Sequence, residues 1–227
     1  MGFFDGVRGR LHYRNRPVGG AATGLVLLPG TGQHSGHYHE FARQLNGAGI
    51  AIWTLDPAGQ GLSEGDPGAR PVLSELVADA ATFFALARAQ APELPLMLMG
   101  HSLGAITALA TLGATPPALD PAVAATPAVP ADLPAGLVLC GTPARALDDR
   151  ADAAGPRLPP VLAVHGVDDR RAPIDPVRAW ARRREAVELR EYADAGHDLL
   201  HERVRARVTA DIVQWTQEIV AGPVRRP

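Results

Sequence analysis

The chain has 227 residues, 46% of them hydrophobic, enough to bury roughly 70% of its unfolded surface as one domain over 1–227 without a metal or disulfide. With 24 acidic residues against 22 basic ones, the net charge of -2 excludes the basic field that a nucleic-acid partner requires. The only cysteine is Cys140, so no intrachain disulfide can form.

Met1 to Arg10 mixes Phe, Asp, Gly and Arg with no apolar run, which does not fit a secretory signal, and Gly6 stands where a myristoylation site needs Ser or Thr. No stretch approaches the ~18 to 20 apolar residues of a membrane span. A cytoplasmic protein without integral membrane association is expected. Its oligomeric state is left open, a homodimer included.

Short apolar runs then alternate with longer segments of helical period, the pattern of βαβ units around a mostly parallel sheet. Gly24 to Gly30 reads as a buried strand and Tyr38 to Leu45 as the helix after it. Ala51 to Asp56 is the next strand, followed by a Gly-rich loop and a helix from Leu73 to Ala89. Leu94 to Gly100 enters the helix Leu103 to Leu112. The last three strands are Gly136 to Gly141, Val161 to Gly166 and Val187 to Tyr192. A helix near Pro176 to Arg184 separates the final two, and Leu199 to Val220 closes the chain as an amphipathic helix. The Pro- and Ala-rich segment 114–135 joins a helix to a strand, so it reads as a spacer at the edge away from the strand C-termini, where a ligand crevice forms.

The pattern G-x-S-x-G occurs at Gly61 to Gly65 and again at Gly100 to Gly104. A nucleophilic serine needs a tight strand-to-helix turn that lifts its Oγ above the sheet. Ser102 has a strand before it and a helix after it. Ser63 is preceded by a loop and followed by Asp66-Pro67-Gly68, which is turn chemistry. Ser102 is therefore the expected nucleophile, with the backbone N–H of Leu103 as one oxyanion donor. The partners of such a serine follow as an acid after a later strand and a histidine near the end. Val167-Asp168-Asp169 follows one strand, and Asp194-Ala195-Gly196-His197 follows the next. His197 is the expected base, and either Asp168 or Asp169 the acid.

Other residues have plainer readings. His34, His37 and His39 read as loop packing or a substrate rim. His197 to His201 mimics the zinc helix H-E-x-x-H, but Asp198 replaces the Glu and Gly196 puts the first His in a turn. His101 and His165 read as structural hydrogen-bonders, Cys140 as a small core residue, and Arg182, Arg183 and Arg184 as a solvated helix face.

Taken in order, LPGTGQHSGHY, LDPAGQGLSEG, GHSLG, HGVDDR and GHDLLHE resemble the monoacylglycerol lipase and lysophospholipase branch of the α/β-hydrolases, including its serine-aminopeptidase-like members. The resemblance runs from Gly24 to about Ile219. It implies the α/β-hydrolase fold, a mostly parallel central sheet with helices on both faces. The family's acid is the last residue of HG-x-x-D, here Asp169, and its second oxyanion donor falls on the Thr31 N–H. Two departures stand out: Pro29-Gly30 where the family has His-Gly, and Asp56-Pro57-Ala58-Gly59-Gln60-Gly61-Leu62-Ser63 where it has D-H-R-G-H-G-x-S.

The expected activity is cleavage of carboxylic esters through an acyl-enzyme, with small-molecule esters as substrates and with no cofactor or metal. Short- to medium-acyl esters and monoacylglycerol- or lysophospholipid-like molecules are the expected classes. The same triad would serve thioesters or small peptides, and the fold also supports non-catalytic ligand binding. The family's cap is inserted after the strand corresponding to Gly136 to Gly141. Only 142–158 is available there, with Arg145, Asp148, Asp149, Arg150, Asp152 and Arg157 spread among small residues. A minimal cap and a preference for short acyl chains follow.

Overall fold

The computed structural model describes residues 1–116, 119–120, 122–123, 133–147 and 158–222. Its strands are β1 (Gly2–Gly6), β2 (Gly9–Arg16), β3 (Thr23–Leu28), β4 (Ile50–Leu55), β5 (Leu96–His101), β6 (Gly136–Cys140), β7 (Val161–Gly166) and β8 (Val187–Tyr192). They form one sheet in the order β1-β2-β4-β3-β5-β6-β7-β8. β3 to β8 pair in parallel, while β1 and β2 run antiparallel to their neighbours. The chain reverses its direction of progress between β3 and β5, and in parallel sheets a ligand crevice opens above the strand C-termini at such a point.

Because neighbouring strand residues face opposite sides, a strand buried throughout must be covered on both. The helices supply that cover: α1 (His39–Gly47), α2 (Leu73–Gln90), α3 (Leu103–Thr111), α4 (Ile174–Arg182) and α5 (Arg205–Ala221). Val26, Leu28 and Leu98 pack with Phe83 of α2, Ile106 of α3 and Trp180 of α4. Leu25, Leu27 and Met99 pack on the other face with Phe41 of α1 and Ile212 and Trp215 of α5. Among the described residues no helix is long and apolar enough to cross a membrane.

The six predicted strands are present, and the fold is the mostly parallel α/β sheet that the order of elements implies. Two strands went unpredicted. β1 and β2 make a hairpin at the sheet edge, and β1 alternates half-buried with exposed residues, so it carries no apolar run to announce it. The last helix begins at Arg205 and not at Leu199: Leu199 and Leu200 are buried, but in a turn whose backbone Glu202 holds. Arg184 is buried, against its reading as part of a solvated face; its guanidinium lies over the Trp180 ring and donates to the Trp180 carbonyl. The core of the predicted cap segment, 148–157, and residues 117–118, 121 and 124–132 within the spacer lie outside the described residues.

Candidate active site

β5 hands over to α3 in a single residue. Ser102 has φ 53° and ψ -111°, a left-handed conformation that costs a non-glycine residue about 1–3 kcal/mol. The turn survives because its surroundings fix it. The Ser102 N–H donates to the Cys140 carbonyl at 2.9 Å, and the Ser102 carbonyl accepts from Ala105 and Ile106. Glycines permit the crowding: a Cβ on Gly100 would overlap the Gly104 carbonyl, and one on Gly104 would overlap the Leu28 carbonyl of β3. The hydroxyl is thereby held at the C-terminal end of the sheet.

The loop after β8 brings His197 to that hydroxyl. Its Nε2 lies 2.8 Å from Ser102 Oγ, and its Nδ1 lies 2.7 Å from Asp169 Oδ2. A carboxylate accepts only, so Nδ1 carries the proton and Nε2 presents its lone pair to the serine. The other Asp169 oxygen accepts from the N–H groups of Arg171 and Ala172 at 2.9 and 2.8 Å, which fixes the carboxyl plane. Asp169 is buried, while Asp168 points to solvent from the same turn.

Several supporting residues escaped the sequence reading. Glu202 accepts from the N–H groups of Gly196 and Asp198 at 2.7 and 3.0 Å, bracketing His197 on both sides. Its signal lay at the end of GHDLLHE, where an acid five residues beyond the histidine is otherwise unremarked. His101 Nε2 donates to the His197 carbonyl at 3.1 Å, and Gln33 and Tyr38 surround its Nδ1.

Burial pushes the His101 imidazole down from an ordinary 6.5 to about 4, so it is neutral at neutral pH. The unfolded chain takes up a proton there between those two values and the folded chain does not, so stability is complete above pH 6.5 and declines toward pH 4. Burial lowers His165 in the same direction. The melting temperature should fall over this window and fall less steeply in His101→Gln; equal slopes in the two proteins would contradict the assignment.

The Thr31 N–H, predicted to be an oxyanion donor, has no acceptor among the described residues. Leu103 supplies the first N–H of α3, which has no intrahelical acceptor. Gly30 and Thr31 line a cavity of about 270 Å³ together with Ser102 and His197. A second cavity of about 190 Å³ lies behind the same loop, between Thr31 and Leu103, with Leu28, Leu55 and Leu76 in its walls.

Ser63 has a different role. Its Oγ donates to the Asp56 carbonyl at 2.5 Å and accepts from the His12 N–H at 2.8 Å, tying the loop after β4 to β2. Ser63→Ala should cost about 1–2 kcal/mol of stability, measurable as a lower denaturant midpoint, through loss of these bonds. It should leave serine-directed probe labelling in place. His34 and His37 accept backbone N–H bonds within their own turn, at 3.1 Å each. Cys140 is buried, and desolvation raises its thiol far above the ordinary range, as a core residue requires.

The sequence profile described as "Serine aminopeptidase, S33" matches residues 21–145. A monoacylglycerol lipase of Mycolicibacterium smegmatis is 27% identical over 242 aligned residues, covering 84% of this chain and 86% of the relative. The human monoglyceride lipase is 34% identical over 104 residues, 44% of this chain and 33% of that protein. Among solved structures, a soluble variant of the Saccharomyces cerevisiae monoglyceride lipase superposes with a TM-score of 0.74 at 16% identity, over 96% of this chain and 94% of the other.

Proposed function

This chain belongs to the serine aminopeptidase (S33) family, and from that premise we propose that it hydrolyses carboxylic esters through an acyl-enzyme, with Ser102 as nucleophile, His197 as base and Asp169 as the acid that orients it. The observation that carries the reading is the continuous hydrogen-bonded chain from Ser102 Oγ through His197 to Asp169 Oδ2, set on a strained turn. The lipase names of the aligned relatives support esters as the bond cleaved.

Each step uses a group already in position. His197 Nε2 accepts the Ser102 proton as Oγ attacks the ester carbonyl, and Asp169 stabilises the imidazolium so formed. The oxyanion develops toward the N–H groups of Thr31 and Leu103; such a donor stabilises the transition state by about 3 kcal/mol. His197 then gives its proton to the departing alcohol, and a water activated by the same imidazole releases the acid. No cofactor or metal enters the sequence of steps. The direct test is labelling by a fluorophosphonate together with turnover of monoacylglycerols and aryl esters: a chain that neither labels nor turns over either ester would refute the reading.

A short-acyl preference accompanies this function. The cavity behind the oxyanion loop is about 190 Å³ and is walled by Leu28, Leu55 and Leu76. Each buried methylene contributes about 0.8 kcal/mol, and only those inside the walls do so. Across aryl esters from acetyl to palmitoyl, kcat/KM should peak at short chains. A maximum at palmitoyl, or a jump in rate at a lipid interface, would contradict it. We also read residues 1–227 as one domain.

A further inference from the structure

Ester hydrolysis as derived above leaves two guanidinium groups beside the nucleophile without a role. Arg145 projects from a 3-10 turn, Ala144–Ala146, that follows β6, and Arg171 from the turn that carries Asp169. Both are exposed, and both line the same cavity as Ser102 and His197. Four other arginines are paired with carboxylates: Arg8 with Glu75, Arg43 with Glu40, Arg178 with Glu191, Arg190 with Glu188. Arg145 and Arg171 have no carboxylate within ion-pair distance among the described residues.

Their roots are fixed. The Arg171 N–H donates to Asp169 Oδ1 at 2.9 Å, so its Cα moves only with the acid's turn. Ala146, next to Arg145, is fully buried against α3. The one carboxylate in the cavity wall, Asp198, receives a hydrogen bond from Gln33 Nε2 at 3.4 Å, and His101 beside it is neutral. Among the described residues that line the cavity the balance is therefore cationic, in a chain that is slightly acidic overall.

The chemistry decides which half of the substrate meets this charge. His197 Nε2 must return its proton to the leaving oxygen, so the alcohol half lies on the His197 side, in the cavity that Arg171 and Arg145 line; Arg145 also borders a neighbouring cavity with Leu103 and Asp120. The acyl half is directed past Thr31 and Leu103 into the apolar-walled cavity. We propose that Arg145 and Arg171 form a binding site for an anionic group on the alcohol half, so that the preferred substrates are acyl esters of phosphate- or carboxylate-bearing alcohols. This rests on the ester-hydrolase reading.

The test uses three butyryl esters of matched size: those of glycerol, glycerol phosphate and glycerate. Charge-assisted hydrogen bonds predict that kcat/KM for an anionic ester exceeds that for the neutral one by on the order of tenfold to a hundredfold, mainly through KM, and that added salt erodes the difference. In the double variant Arg145→Gln/Arg171→Gln the ratio should fall to about one, while Arg170→Gln, exposed but outside the cavity wall, should keep it. A preference for only one of the two anions supports the site and identifies its ligand. Equal rates for all three esters, or a double variant that keeps the ratio, would overturn it. A second readout needs no turnover: glycerol phosphate should raise the melting temperature of the native chain and not of the double variant. That shift without any ester turnover would keep the site and sink the esterase reading; neutral-ester turnover without either anion effect would do the reverse.

Discussion

Ser102→Ala should lower ester turnover by a factor on the order of 10⁶ and abolish fluorophosphonate labelling, and His197→Ala should do nearly the same, because such groups act as a unit. The size follows from the geometry. With Oγ gone, nothing at the end of the strained turn can form the acyl-enzyme, and the oxyanion donors alone retain only a small residual acceleration. With the imidazole gone, the hydroxyl keeps its place but has no acceptor for its proton, since the 2.8 Å contact to His197 Nε2 is the sole side-chain bond it makes among the described residues. Single-turnover measurements on both variants, and on the double variant, check this. Retained turnover in Ser102→Ala, or labelling that migrates to Ser63, would overturn the assignment. Additive losses in the double variant would mean that serine and histidine do not work together.

Asp169→Asn should cost about 10⁴ in kcat while Asp168→Asn stays within about twofold of the native chain. The Arg171 and Ala172 N–H groups bond Oδ1, so the new side chain must keep its carbonyl oxygen there and turn its NH₂ toward His197 Nδ1. An amide donating to Nδ1 forces the ring proton onto Nε2. The imidazole then offers Ser102 a donor where it needs an acceptor. Asp168 is exposed, and its backbone N–H, which a side-chain change leaves intact, makes its bond to the Ala195 carbonyl. The comparison needs kcat for both variants alongside circular dichroism, to show that folding is unaffected. Equal losses with intact folding would place the acid's role elsewhere.

Where a strand is buried on both faces, its run of apolar residues is visible in the sequence, and β6 and β7 lie where those runs stand. The edge hairpin was not visible, because half-buried strands such as β1 carry glycine, aspartate and phenylalanine in alternation. The strand-turn-helix setting of Ser102, which Ser63 lacks, was legible from its neighbours, since that context is local. The choice between Asp168 and Asp169 could not, because it depends on which side chain the turn after β7 carries inward. Glu202 was hidden for a related reason. Leu199 and Leu200 continue the apolar period of α5, so no residue there announces that the chain bends to close around His197. The approach of Arg145 to Arg171 is a product of the fold alone, because they follow different strands.

The contact of Gly104 with the Leu28 carbonyl separates what in this protein can vary from what cannot. The start of α3 and the end of β3 meet there backbone to backbone, so the turn bearing Ser102 and the loop bearing Thr31 share one rigid foundation. The closest approach at that joint is between main-chain atoms. The cavity rims stand on other segments: the loop after β4, with Pro57 and Pro71, and the turns carrying Arg145 and Arg171. Mutations in these rims can change which ester is accepted without altering the spacing between hydroxyl, imidazole and oxyanion donors. The molecule is thus divided into a reaction frame written in backbone and a set of replaceable margins written in side chains, and new specificities are reached by editing the margins.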